Sequence, residues 1–243
     1  MPVSTKKLVY DVRRKLDSLI SGYSNNSNLV DIIAAINEAQ EIWFENRVDL
    51  AETDSTVRNE LRHWEEKKYE ANCNDVDKNC CVVNYPENYY RKLNESFVVT
   101  NEKCCPNYEK KIPVRVNQSD DINETISNPY RKANFAFEQI NGDEGSDGFY
   151  IYHQGQMGVK KFCMDYYRKP NVLHAPSLND CGDGFYYDYC EKTIRKDIDF
   201  EGDRFSANCI TDIATLLIQK SKGNINDFQK ELNYILVKDR LKK

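Results

Sequence analysis

The stretch Asn28 to Leu50, NLVDIIAAINEAQEIWFENRVDL, constrains this chain more than any other. Leu29, Ile32, Ile33, Ile36, Ala39, Trp43 and Leu50 recur near the 3.6-residue period, and Asn37, Glu38, Gln40, Glu41, Glu45 and Asn46 cover most of the other side. Asn28 is placed to cap the first turn, Asp31 lies within it and Arg47 lies near the end, so the charges suit the helix dipole. The segment predicts a long helix that carries no nucleophile, His or Cys and is built to pack on each side.

The flanking sequence keeps the same period. Ser4 precedes a stripe of Val9, Val12, Leu16, Leu19 and Ile20 that Gly22 is placed to end, and Val57, Leu61 and Trp64 predict a third helix starting near Ser55 or Thr56. From Asn72 to about Phe200 the pattern changes to short β-rich runs: Cys81–Val83, Ser96–Thr100, Ile112–Val116, Asn134–Phe137, Phe149–His153, Val159–Tyr167 and Phe185–Tyr189. Asn141–Gly148 reads as a long hairpin connection, and GQMG at Gly155–Gly158 as a tighter one joining paired strands. Helix returns at Arg204, with Gly223 as its stop and Asn226 capping a last helix of Phe228, Leu232, Ile235 and Leu236. The expected fold is α+β. Residues 1–71 and 204–243 form a helical bundle, and residues 72–203 form an inserted antiparallel sheet or barrel with no βαβ alternation.

The chain has 243 residues and a formal net charge of -5, which argues against a polyanion binder but suits a passage through which DNA slides without sticking. No run approaches a membrane span, and the charged N-terminus lacks a signal-peptide core, so folding in a cytoplasm is expected. In that compartment the nine cysteines are expected to be reduced.

Few residues invite chemistry. Cys73, Cys80, Cys81, Cys104 and Cys105 are the one group from which zinc could be held. However, adjacent cysteines on a strand point to opposite faces and no C-x2-C occurs, so buried thiols and no cofactor are the expectation. His63, His153 and His174 sit in no catalytic signature. Asp143, Glu144, Ser146 and Asp147 lack calcium-loop spacing, and Asp180, Asp183 and Asp188 lie in a Gly-rich turn region without a cleft. Arg168, Lys169, Lys192, Arg195 and Lys196 are interleaved with acids and read as mixed surface. No enzyme is expected. A cytoplasmic metal- or thiol-dependent protein using the Cys73–Cys105 cluster is the alternative, and a nucleic-acid-binding module is a third reading.

Three runs carry a resemblance: INEAQEIWFENRVD (Ile36–Asp49), KIPVRVNQSDDINETISNPYRKANFAF (Lys111–Phe137) and MDYYRKPNVL (Met164–Leu173), followed by a late helix over Ile210–Lys220. In this order they resemble head–tail adaptor, or ring, proteins of tailed bacteriophages, most of all ring proteins of crAss-like podoviruses. The resemblance implies a non-enzymatic virion protein, assembled in the host cytoplasm and residing in the neck or tail. It also implies a homo-oligomeric ring, typically dodecameric, that meets the portal protein and the next tail ring or hub and extends the DNA channel, with no membrane partner. Ring closure requires head-to-tail surfaces. Ile33 and Phe44, off the centre of the main stripe, together with Trp43, Phe228, Leu232 and Tyr234, are the interface candidates.

Overall fold

The structure is a computed structural model that describes residues 4–19, 28–101, 105–117, 121–145, 148–155, 157–174, 186–187, 204–223 and 227–241. Among these residues the chain is mixed α+β, with six α-helices and an eight-stranded sheet curled into a half-barrel. It divides into two compact units, one of Met1–His63 with Pro170–Lys243 and one of Trp64–Lys169.

In the first unit α1 (Thr5–Leu19) begins at Ser4, whose hydroxyl accepts from Lys7 N. The long helix α2 (Leu29–Ala51) is capped by Asn28, which accepts from Asp31 N at 2.8 Å. Its buried arc is wide, including Ile32, Ile33, Ile36, Ala39, Trp43, Phe44 and Val48, because α1, the short α3 (Ser55–Glu60) and α5 (Arg204–Ser221) all pack against it. Gly223, at φ +73°, takes the left-handed turn that ends α5, and α6 (Phe228–Leu241) packs back on that helix.

Even the polar side of α2 is occupied. The Asn37 amide donates to Leu173 O and accepts from Leu173 N, both at 2.9 Å, so it reads the backbone of β9 (Leu173–His174) as a neighbouring strand would. Arg47, also buried, faces Glu60 at 3.8 Å and lies over the Trp43 ring at 5.7 Å.

The third helix ends earlier than its stripe predicts. Val57, Leu61 and Trp64 are all buried, but a 3-10 turn (Leu61–Trp64) follows Glu60 and leads into β1 (Glu65–Asn72). The run EEKKYEAN is rich in helix formers. As an edge strand it turns those charges outward while Tyr69 and Ala71 face the core, with Lys68 at φ +60° inside the register shift between Glu66 and Tyr69. The β-unit therefore starts before Asn72.

The remaining strands are β2 (Asn74–Asp75), β3 (Cys80–Asn84), β4 (Tyr89–Asn101), β5 (Cys105–Val116), β6 (Ile140–Glu144), β7 (Gly148–Tyr152) and β8 (Gly158–Arg168), with a separate pair of β9 and β10 (Tyr186–Tyr187). The sheet order is β1-β8-β4-β5-β6-β7-β3-β2. Three expectations fail here. The strands flanking GQMG do not pair: β7 lies between β6 and β3, whereas β8 lies between β4 and β1. The sheet is not wholly antiparallel, because β5 and β6 run parallel through a crossover that contains the short helix α4 (Ile122–Ser127). Asn134–Phe137 is a turn held by a single bridge between Asn134 and Gln139. The hairpin expected at Asn141–Gly148 is present, but its connection is shorter, because Asn141–Glu144 belong to strand β6 paired with β7. Alternation tells which face a residue takes, not which strand lies beside it.

The two edges of the sheet, β1 and β2, are consecutive in the chain with only Cys73 between them. One extended segment, 65–75, thus pairs with β8 through its first part and with β3 through its last. The inner face is filled by Cys81, Val83, Phe97, Val99, Ile112, Ile140, Phe149, Ile151, Phe162 and Met164, drawn from alternate positions of six strands.

Candidate functional site

The seam formed by segment 65–75 gathers the residues with the most distinctive chemistry. Asp75 stands opposite Cys81 in the β2–β3 ladder, and Cys81 stands opposite Ile151 in the β3–β7 ladder. Cys73 precedes Asp75 by two residues and His153 follows Ile151 by two, so strand periodicity puts all four on the face that Cys81 shares with the core. One ligand atom each of Asp75, Cys81 and His153 lies within 4.8 Å of the others. Cys73 is partly buried and packs against the core cluster that contains Cys81.

Burial differs across the group. Cys81 is fully buried, Cys73 and His153 are half-buried, and Asp75 is exposed at the rim. The Cys81 thiol is pushed far up, first by its hydrogen bond with Cys73, then by burial, then by the negative charges that Cys73 and Asp75 would carry. Left alone it is a thiol, not a thiolate nucleophile. His153 is held by its backbone N–H, which donates to Asn79 O at 2.9 Å, and its Nδ1 accepts from Gly155 N at 3.2 Å.

The other cysteines stay apart from this group. Cys80 pairs with Tyr152 and faces away from Cys81, and burial pushes its thiol up to about 11. Cys104 and the Cys105 side chain lie outside the described residues, as do Cys181 and Cys190. Cys209 is buried in α5, and Cys163 lines a polar depression of about 300 Å³ with Lys68, Glu70, Ser96, Lys111 and Asp165. Burial also raises the Cys163 thiol, so that depression offers no activated nucleophile.

The remaining candidates disperse. His63 lies in the 3-10 turn and His174 in β9. Asp143 and Glu144 belong to β6, where Glu144 pairs with Lys92, while Ser146 and Asp147 lie outside the described residues. Arg168 faces Glu66 at 3.4 Å, as a mixed surface requires, and Lys169 follows it at the end of β8. Lys192, Arg195 and Lys196, with Asp180, Asp183 and Asp188, are outside the described residues.

The interface candidates divide by burial. Ile33, Trp43 and Phe44 are 4%, 1% and 0% exposed, and Leu232 is also buried. Their surface is already covered by this chain's own helices, which corrects the expectation that Ile33 and Phe44 face a neighbour. Phe228 is half-buried beneath Lys220, whose Nζ lies 4.0 Å from its ring centroid. Tyr234 is 63% exposed, and Val237, one turn on, is exposed as well. In the β-unit, Tyr130 and Phe137 stand in the α4–β6 connection at 90% and 79% exposure. Nearby, Tyr108 meets Phe135 edge-on at 6.4 Å. The sequence reading missed this second group, although YRKANFAF shows the aromatic spacing.

No family model matches this chain, and no curated protein matches it.

Proposed function

We propose that this protein is a structural ring protein, a head–tail adaptor of a tailed bacteriophage that assembles below the portal, extends the DNA channel and offers a platform to the next tail component. The observation that carries this reading is the set of large side chains the single chain leaves in water: Tyr130 and Phe137 in the β-unit, Tyr234 and Val237 on α6. Each such group is worth about 1.5–3 kcal/mol when fully buried, so paired surfaces of this kind supply assembly energy. Aromatics of this type are enriched at protein contacts.

In this reading the terminal helices work together as a helical bundle, and the β-unit is an insertion in the chain between them. Copies associate head to tail and the ring closes, typically at twelve subunits. The runs Ile36–Asp49, Lys111–Phe137 and Met164–Leu173 support it through their resemblance to adaptors, and Tyr130 and Phe137 lie within or at the end of the second run. The net charge of -5 suits a lumen that lets DNA pass. Among the described residues no helix is long and apolar enough to cross a membrane.

The test is the mass of the purified chain, alone and with portal protein, by native mass spectrometry and electron microscopy. Rings of uniform copy number, and the chain in the neck of purified virions, are expected. A chain that stays monomeric with portal and is absent from particles would overturn the reading.

A further inference from the structure

We propose that Cys73, Asp75, Cys81 and His153 bind one zinc ion that fastens the seam of the curled sheet. The proposal goes beyond the adaptor reading and needs no ring.

The fold delivers these groups from three places. Cys73 and Asp75 come from the segment that supplies both sheet edges, Cys81 from β3 and His153 from the residue after β7. Direct pairing of Asp75 with Cys81 and of Cys81 with Ile151 sets the register, so the side chains converge on one face. Two thiolates, an imidazole and a carboxylate are the donors that zinc takes in four-coordinate sites. Soft sulfur ligands select against magnesium and calcium.

The spacing is near what the ion needs. Bond lengths of about 2.0–2.3 Å place tetrahedral ligand atoms roughly 3.3–3.8 Å apart. One ligand atom each of Asp75, Cys81 and His153 already lies within 4.8 Å of the others, and Cys73, two residues before Asp75 on the same segment, packs against the core cluster that contains Cys81. Binding would displace the protons of both thiols, which go to solvent. At His153 the hydrogen bond from Gly155 N to Nδ1 must yield in either binding mode: the ion replaces the N–H at Nδ1, or it takes Nε2 while the proton moves to Nδ1. Cys80 takes no part, because it sits on the opposite face.

The ion's work would be mechanical. Segment 65–75 contributes only Asn74 and Asp75 to its pairing with β3, whereas β3 and β7 pair over five residues. A metal bridging Cys73, Asp75, Cys81 and His153 would hold the weakly paired edge shut.

The experiment uses the full chain purified under reducing conditions, with zinc measured per chain by elemental analysis and cobalt(II) added after chelation. About one zinc per chain, and a cobalt spectrum with thiolate charge-transfer bands and intense tetrahedral d–d bands, are expected. Zinc should raise the thermal midpoint of the chelated protein. Cys73→Ser and His153→Gln should each weaken zinc binding at least tenfold and abolish that rise, while Cys80→Ser keeps both. Because Cys81 is buried, the half-buried Cys73 and His153 positions carry the test even if Cys81→Ser fails to fold. Three outcomes would overturn the proposal: no zinc or cobalt bound by the reduced protein, metal content unchanged by both Cys73→Ser and His153→Gln, or a Cys73–Cys81 disulfide that persists under those conditions.

Discussion

Gly142 on β6 lies beneath the ring of Phe149 on β7: a Cβ at Gly142 would stand 2.2 Å from Phe149 Cε1 and 2.9 Å from Val114 Cγ1. The missing side chain lets Phe149 lie across β6 and meet Phe162, at 5.8 Å and an interplanar angle of 15°, and Phe97. Gly142→Ala should therefore destabilise the β-unit by about 1–3 kcal/mol through overpacking. Chemical denaturation measures this, and a change below about 0.5 kcal/mol, the usual surface effect, would show that the ring has room to move.

Trp43 and Phe44 sit on different sides of α2, and both are sealed by this chain's own helices. Trp43→Ala should cost about 3–5 kcal/mol. Phe44→Glu and Ile33→Glu should unfold the helical unit, because each would bury a carboxylate without a partner. Circular dichroism melts of the purified variants would decide this, and a folded Phe44→Glu protein that merely fails to assemble would return the residue to the interface.

Glu95 carries a pH dependence. Burial, which acts first, raises its carboxyl above the usual range, while Lys92, 3.2 Å away, opposes the rise. With its folded pKa above the unfolded value, the folded state holds the proton longer. Stability is then lost as pH climbs from the unfolded to the folded value. Glu95→Gln should remove that decline, so the variant gains on the parent across the window just above ordinary carboxylate titration. Melting midpoints taken from acid to neutral pH would show it, and a variant that instead loses ground as pH rises would mean that the Lys92 pairing outweighs burial.

Tyr234 and Phe137 are exposed in the single chain, so Tyr234→Glu and Phe137→Glu should leave its stability within about 0.5 kcal/mol. If these side chains meet a neighbour, the same changes should shift the mass distribution from rings to monomers. Sedimentation at matched concentration reads this directly, and unaltered rings in both variants would place the contacts elsewhere.

Half of the seam cluster was legible in the sequence. Cys73 and Cys81 stood out as thiols, and the rule that strand neighbours face apart separates Cys80 from Cys81, as the β3 register bears out. Asp75 and His153 did not stand out. Asp75 is two residues from Cys73, a spacing that means nothing until that segment is a strand, and His153 is 72 residues beyond Cys81 and joins it only through β3–β7 pairing.

The sequence by itself determined the helices α1, α2 and α5 with their Ser4, Asn28 and Gly223 boundaries, because local periodicity and capping depend on residues a turn apart. It also marked the β-rich runs that lie in β3, β4, β5, β7 and β8, since β-rich composition bounded by turn residues is local as well. Only the tertiary structure decided that β5 and β6 run parallel, that β7 avoids β8, and that Glu65–Asn72 is strand despite its helix-forming composition. Strand partners are chosen by long-range packing around Phe97, Phe149 and Phe162, and period-2 patterning is blind to which neighbour completes the ladder. The same long-range choice makes one segment serve as both edges of the sheet, and only then do Asp75, Cys81 and His153 meet, with Cys73 beside them on that segment.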